Sequence, residues 1–330
     1  MRIRQAVVMV GGKGTRLRPL TENRPKPSLP VVEHPCLWYL LRSFADAGVE
    51  EVILACGYKS QGMRDAMGDG SDLGIRIVYV DEDEPLGTGG ALKNAEHLLD
   101  PVFLAANGDV FMYTDFSRQI DRHFEDGAKV TIAVAEVDDP SQYGVVETDS
   151  DGRITGFKEK PRPGETDSKL INAGVYVVDR EVLSMIPRGE FCDFSGDVFP
   201  EIVRNGGGLS TCPVQGLFMD VGHPLELLAA NLDIVDREHP EGHHVFISPD
   251  ASVTDTALER SVILEDCEIS DSDLEHVLVM KGCRIMGAVV RDSILGEGCE
   301  VMEGAVVENS ILGDGEKVSP GEVRNDGARL

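Results

Sequence analysis

The residues with the clearest chemical potential stand near the start of the chain, in Gly11-Gly12-Lys13-Gly14-Thr15-Arg16-Leu17-Arg18-Pro19-Leu20-Thr21. An apolar run, Ala6-Val7-Val8-Met9-Val10, leads straight into this segment. Ten residues after Arg16 comes Lys26, framed as Pro25-Lys26-Pro27. A strand that ends in a glycine-rich loop is a place to hold phosphate groups. Glycines let backbone N–H groups close on an anion, and basic side chains neutralise it. Two familiar phosphate loops are excluded by spacing. G-x-x-x-x-G-K-[S/T] fails because position 7 is Val and Lys13 is followed by Gly14, and G-x-G-x-x-G fails because position 17 is Leu. Glycines combined with a threonine, two arginines and a proline-fixed lysine exceed what a tight turn needs.

A second chemical candidate is Asp109, in Asn107-Gly108-Asp109. It follows the run Val102-Phe103-Leu104-Ala105-Ala106 at its carboxyl end, where open α/β sheets place their sites.

These residues need a scaffold, and the pattern of the chain supplies one. Besides the two runs already named, Val52–Ala55 and Ile75–Val80 read as buried strands, with amphipathic stretches at Leu37–Ala47 and Gly90–Leu99 between strands. Such alternation predicts a mixed, mostly parallel sheet with helices on both faces, a Rossmann-like α/β arrangement. Further strand signals at 130–137, 144–147, 154–158 and 174–178 extend the sheet into a substrate-side wall, and Pro224–Val235 reads as a helix with proline near its start. The expected division is 1–236 for this domain, 237–245 for a polar linker containing Pro240 and Gly242, and 246–330 for a repeat. Three histidines in the linker stand without a cysteine or carboxylate pattern around them, so a solvated connection is the simpler reading.

Within the repeat, aliphatic residues recur at Ile285, Val290, Leu295, Val301, Val307, Leu312 and Val318, in steps of five or six. A helix needs steps of three and four, and a flat sheet needs two. Steps near six with Gly, Asp and Ser between them predict a parallel β-helix, whose stacked coils share one apolar axis.

Composition narrows the setting. The net charge is −27, from 58 acidic and 31 basic residues, and only 10 of the basic residues are lysine. A diffuse acidic surface poor in lysine suits a halophilic cytoplasm, where molar salt shortens the Debye length to about 3 Å. It disfavours nucleic acid as a partner, because phosphates need a basic face. No apolar stretch reaches the roughly 18 residues of a membrane span. The N-terminus lacks a secretory pattern, so the expected address is cytoplasmic. Seven scattered cysteines form no C-x-x-C pair and are expected to be buried, inert thiols.

The stretch Gly11–Pro27 resembles the G-G-x-G-T-R-L-x-P-L-T…P-K-P signature of sugar-phosphate nucleotidyltransferases, and it is intact. The resemblance continues through Leu86-Gly87-Thr88-Gly89-Gly90-Ala91-Leu92, Asn107-Gly108-Asp109, Glu159-Lys160-Pro161, Asn172-Ala173-Gly174 and Asp220-Val221-Gly222-His223-Pro224, covering roughly residues 3–235. Many members also carry a hexapeptide-like left-handed β-helix. The resemblance implies attack of a sugar-phosphate oxygen on the α-phosphorus of a nucleoside triphosphate, with pyrophosphate leaving. It places Arg16 on the triphosphate and Lys26 as the phosphate clamp. Asp109 and Asp220 become the ligands of Mg²⁺, an ion that takes carboxylate, phosphate and water oxygens. Gly11, Gly12, Gly14, Thr15, Gly87 and Thr88 fall on the nucleotide side. Gly144, Glu159, Lys160, Asn172 and Gly174 fall on the sugar-phosphate side. His223 departs from the threonine more often found after that glycine.

The Leu86–Leu92 pattern looks more like mannose- or heptose-1-phosphate guanylyltransferases than like thymidylyltransferases, and GTP with mannose 1-phosphate is the favoured pair. A glucose-1-phosphate uridylyl- or thymidylyltransferase is the alternative. A hexapeptide acyltransferase has only His276 in the repeat to draw on, and a catalytically silent nucleotide-binding regulator sits poorly with intact Arg16, Lys26, Asp109 and Asp220. A homo-oligomer assembled through the β-helix is expected.

Overall fold

A computed structural model describes residues 2–12, 14–57, 59–162, 164–238 and 244–328. The chain forms two compact units, Met1–Gly12 with Leu37–Phe218, and Lys13–Cys36 with Met219–Leu330. The signature segment after Gly12 is thus grouped with the repeats and with the helix Pro224–Glu238. Residues 239–243, most of the expected linker, lie outside the described residues.

In the first unit, four parallel strands lie side by side in the order Val102–Asn107, Gln5–Met9, Glu51–Cys56 and Arg76–Asp81. Leu170–Asp179 adds antiparallel to Val102–Asn107, and Val130–Glu136, Gly144–Thr148, Ile154–Glu159 and Leu209–Pro213 complete nine strands. Successive residues of a strand point to opposite faces, and both faces are buried here. Ala6 and Val8 join one apolar cluster with Leu37, Leu40 and Phe44, whereas Val7 and Met9 join another with Leu92, Phe194 and Phe199. That double burial is why 6–9, 52–55 and 102–106 read as unbroken apolar runs; Arg76–Asp81, expected as a buried strand, stands at the sheet edge and leaves Arg76 exposed. The expected helices stand at Cys36–Asp46 and Gly87–Ala95, the latter continued by a 3₁₀ turn, Glu96–Leu98.

In the second unit, residues 245–325 wind as parallel coils. One six-stranded ladder joins Val245–Ile247, Ala257–Ile263, Asp273–Val279, Val289–Leu295, Val306–Leu312 and Val323–Asn325, and a five-stranded ladder runs beside it. Register partners Ile269, Ile285, Val301 and Val318 set a rise of 16 or 17 residues per coil. Corners explain the steps of five and six. Left-handed backbone recurs at Asp271, His276 and Gly282, then at Gly287, Asp292 and Gly298, then at Gly304, Asn309 and Gly315. Gly, Asn and Asp tolerate that conformation best, which is why they fill the positions between the aliphatics. All seven aliphatics of the sequence pattern are fully buried, Ile285 through Val318. Each contributes roughly 1.5–3 kcal/mol of transfer free energy. The coil pattern also reaches back to Val245, beyond where the aliphatic spacing fades, with Val253 and Leu258 packing on the apolar axis there. The seven cysteines are all buried and unbridged. No helix is long and apolar enough to cross a membrane among the described residues.

Candidate active site

The signature segment folds on itself within the second unit. Gly14 takes a left-handed φ of 59°, and a Cβ there would meet the Lys26 Cβ at 3.0 Å and the Thr21 Cγ2 at 3.3 Å. The Thr21 hydroxyl donates to the Gly14 carbonyl at 2.8 Å. Residues spread over Gly14, Thr21 and Lys26 are therefore one packed knot, and glycine is required at its centre. Thr15–Leu17 forms a short 3₁₀ turn that carries Arg16, and Lys26–Ser28 forms another, with the Ser28 N–H and hydroxyl both donating to the Pro25 carbonyl.

Lys26 is only 8% exposed, and its Nζ stands 3.6 Å from Asp220 Oδ1. Asp220 ends the strand Leu217–Asp220 and enters a tight turn in which the Gly222 N–H donates to the Asp220 carbonyl at 2.6 Å. A Cβ at Gly222 would lie 3.2 Å from the Arg16 guanidinium. The absent side chain is what lets Arg16 rest against this turn. Two cations and a carboxylate, 204 residues apart along the chain at the extremes (220 − 16), are thereby held in one loop cluster. His223 continues from the turn, its carbonyl accepting the Leu227 N–H as the helix Pro224–Glu238 begins.

The remaining candidates lie in the first unit. Gly11 packs against Gly57, where a Cβ would come within 3.2 Å of the Gly11 Cα. Asp109 follows the strand Val102–Asn107 as expected. Gly108 between them donates to the Met9 carbonyl at 2.8 Å, and a Cβ there would strike Val10 Cγ1 at 2.4 Å. That contact fixes the backbone that carries Asp109.

Glu159 pairs in register with Gly144, whose missing Cβ would meet Phe157 at 2.6 Å and Glu159 Oε2 at 2.9 Å. Lys160 stands 3.8 Å from Glu159, and its N–H donates to the Tyr143 carbonyl. Asn172 Nδ2 donates to the Tyr176 hydroxyl at 2.9 Å, while its Oδ1 accepts the Gly174 N–H at 2.9 Å. Gly174 has φ 76° at a bulge in its strand and lies against Asn107. The buried Tyr176 hydroxyl is a focus for this region. Burial pushes it above the ordinary phenol range, Asp193, Asp109 and Glu159 add to that, and the Asn172 bond opposes it. Burial likewise raises the Glu159 carboxyl, against the pull of Lys160. Asn172 thus bonds the Tyr176 hydroxyl directly, while the carboxylates of Asp193, Asp109 and Glu159 act on it through their charge. Tyr176 and Asp193 were not anticipated from the sequence. Tyr176 lies four residues after Asn172 in one strand, a spacing that points to it only once the bulge is known.

Gly87 and Thr88 have a structural role of their own. The Thr88 hydroxyl donates to Asp193 at 3.2 Å and accepts the Phe194 N–H at 2.8 Å. Cβ atoms at Gly87, Gly89 and Gly90 would meet Cys192 O at 2.6 Å, Cys192 Sγ at 2.9 Å and Glu190 O at 2.8 Å. This glycine run therefore lets segment 190–194 cross the start of the helix Gly87–Ala95 at close range.

Among the described residues no three or more His, Cys, Asp or Glu side chains gather as a metal cage. Asp109 and Asp220 each offer the hard carboxylate oxygens that Mg²⁺ takes, and Asn107 Oδ1, two residues before Asp109, is buried without a hydrogen bond. The donor type fits Mg²⁺, provided that phosphate oxygens and water complete the shell.

The family described as Nucleotidyl transferase matches residues 5–237, and GlmU-like, C-terminal hexapeptide matches residues 270–324. The chain belongs to the nucleotidyl transferase family. A protein named mannose-1-phosphate guanylyltransferase, from Mycobacterium tuberculosis, is 41% identical over 236 residues, covering 70% of this chain and 64% of that one, a little under two thirds of its length. Mannose-1-phosphate guanyltransferase 2 of Candida glabrata is 36% identical over 246 residues, covering 72% and 67%. HddC from Yersinia pseudotuberculosis, solved in complex with GMP-PN, shares 29% identity at a TM-score of 0.60, covering 70% of this chain and 100% of that one.

Proposed function

We propose that this protein joins a nucleoside triphosphate to a sugar 1-phosphate, releasing pyrophosphate, and that its pair is GTP with mannose 1-phosphate. The observation that carries the reading is the knot in which Lys26 reaches Asp220 at 3.6 Å while Arg16 rests on Gly222. Both reactants are polyanions, so catalysis is chiefly alignment and charge neutralisation. An oxygen of the ionised sugar phosphate attacks the α-phosphorus, the bond to the β-phosphate oxygen breaks, and no general base is needed. Arg16 neutralises the departing pyrophosphate, and Lys26 holds the α-phosphate oxygens as charge builds there. Gly11, Gly12, Gly14, Thr15, Gly87 and Thr88 border the nucleotide. Gly144, Glu159, Lys160, Asn172 and Gly174 border the sugar phosphate, with Lys160 on its phosphate and Glu159 and Asn172 on its hydroxyls. Asp109 and Asp220 would hold Mg²⁺, which when bound offsets phosphate charge. Guanine and mannose are supported by the Leu86–Leu92 pattern, the names of the Mycobacterium and Candida relatives, and the GMP-PN in the Yersinia protein.

The test is pyrophosphate release from purified protein with Mg²⁺ across a panel of nucleoside triphosphates and sugar 1-phosphates. One GDP-mannose per pyrophosphate is expected, with GTP and mannose 1-phosphate giving the highest kcat/KM. Pyrophosphate without a sugar nucleotide, or no turnover with any pair, would sink the reading.

The proposal includes residues 1–236 as the reacting domain, the coils from 246 onward as an element of homo-oligomer assembly, and a halophilic cytoplasm as the setting. Ile247 and Met286 leave partly exposed apolar surface on the coils, which supports assembly. A net charge of −27 supports the setting. At low ionic strength the acidic groups repel over about 10 Å or more, and molar salt removes that opposition. Melting temperature and activity are therefore expected to rise steeply between about 0.1 and roughly 2 M KCl. A melt series that is flat or falls with salt would reject the halophilic part.

A further inference from the structure

Arg24 stands within the Gly11–Pro27 stretch at a position its motif leaves open, two residues before Lys26, and its side chain is only 16% exposed. Its guanidinium reaches into the coils of the same compact unit. One terminal nitrogen binds Asp314 Oδ2 at 2.9 Å, the other binds Glu297 Oε1, and Nε is buried without a hydrogen-bond partner. Asn23 Nδ2 donates to the same Asp314 oxygen at 3.2 Å, and Asp314 Oδ1 accepts the Glu297 N–H at 3.0 Å. Nearby, the missing Cβ of Gly313 would lie 3.1 Å from Pro19.

Glu297 and Asp314 occupy equivalent corners of successive coils, since Glu300 and Lys317 three residues later are register partners. Like charges stacked on neighbouring strands repel. Here the cation between them comes from the signature segment rather than from the coils. From Arg24 the chain passes through Pro25 alone to Lys26, and Pro25 and Pro27 limit the backbone freedom on either side. A displacement at Arg24 is therefore carried to Lys26 with little slack.

We propose that Arg24 is a positioning residue, and that the 297/314 corner of the coils sets the placement of Lys26 through it. The proposal rests on the reading of Lys26 as the phosphate clamp. It gives the repeat a part in turnover beyond assembly.

The experiment uses the full chain with Arg24→Met, Arg24→Lys, the paired change Glu297→Gln with Asp314→Asn, and all three neutralising changes together. Thermal melts select folded variants, and the near-isosteric paired change tests the contact should Arg24→Met fold poorly. Amide exchange is read at Ser28 and Leu29, whose N–H groups close the turn on Pro25 and Lys26. Arg24→Met and the paired change should each speed exchange there while exchange in the strand Gln5–Met9 stays unchanged. Each should lower kcat on the order of tenfold to a hundredfold, the scale of a small misplacement of a reacting group, with a smaller change in KM. Arg24→Lys should recover part of both, and the triple variant should be no worse than Arg24→Met. Unchanged exchange at Ser28 and Leu29, unchanged kcat, or multiplicative losses in the triple variant would each overturn the proposal. Should the unaltered protein turn over no substrate pair, the reading of its function fails, and exchange at Ser28 and Leu29 still decides whether the corner holds the loop.

Discussion

Lys26→Ala is expected to lower kcat by at least about a hundredfold while the KM for the nucleotide changes less. In the proposed reaction the charge facing Lys26 grows as the sugar-phosphate oxygen closes on the α-phosphorus, which would make its interaction stronger at the transition state than with bound substrate. A hundredfold corresponds to about 2.7 kcal/mol, which is within what one fixed donor supplies in a site shielded from water. Lys26 is only 8% exposed, and water cannot readily take the place of its ammonium. Its stem also packs on Gly14, so alanine removes packing together with charge. Lys26→Met keeps the stem and deletes the charge alone. Both variants should lose kcat similarly if charge is what matters. Normal kcat with weakened nucleotide binding would reduce Lys26 to a ground-state contact. A normal methionine variant beside a crippled alanine variant would make its role one of packing.

Asp109→Asn and Asp220→Asn should each nearly abolish turnover at any Mg²⁺ concentration, and the double variant should be scarcely worse than either. Groups that act on one ion fail as a unit, so their losses do not multiply. Each substitution keeps the side-chain shape, and the backbone at each site is fixed independently, by Gly108 against Met9 and Val10 and by the Asp220–Gly222 turn. The fold should therefore survive. Asp220→Asn should also lower the melting temperature somewhat, because it leaves the nearly buried Lys26 ammonium facing a neutral amide. Kinetics of the three variants across an Mg²⁺ series, with melts in parallel, are the measurement. Substantial turnover in either single variant, or losses that multiply in the double, would argue against a shared ion.

Local pattern was enough to determine a large part of this protein. The unbroken apolar runs at 6–10, 52–55 and 102–106 specified buried parallel strands, because a strand covered on both faces has no polar side to show, whereas the strand read at 75–80 stands at the sheet edge with Arg76 exposed. Steps of five and six specified coils, because each coil turns three corners and left-handed backbone selects Gly, Asn or Asp there. The signature segment was also legible as a unit, since Gly14, Thr21 and Lys26 are neighbours both in the chain and in space.

Tertiary structure alone decided the rest. Resemblance puts Gly87 and Thr88 on the nucleotide side; the close crossing of segment 190–194 over Gly87, Gly89 and Gly90, about a hundred residues later in the chain, is visible only in the structure. The hydrogen bond between Asn172 and Tyr176 spans a bulge near Gly174 that a period of two does not announce. Arg24 carries no motif, and its partner Asp314 lies 290 residues away. Periodicity reports which face of an element is buried. It carries no information on which distant element covers that face, and pairings of this kind exist only once the chain has closed those contacts.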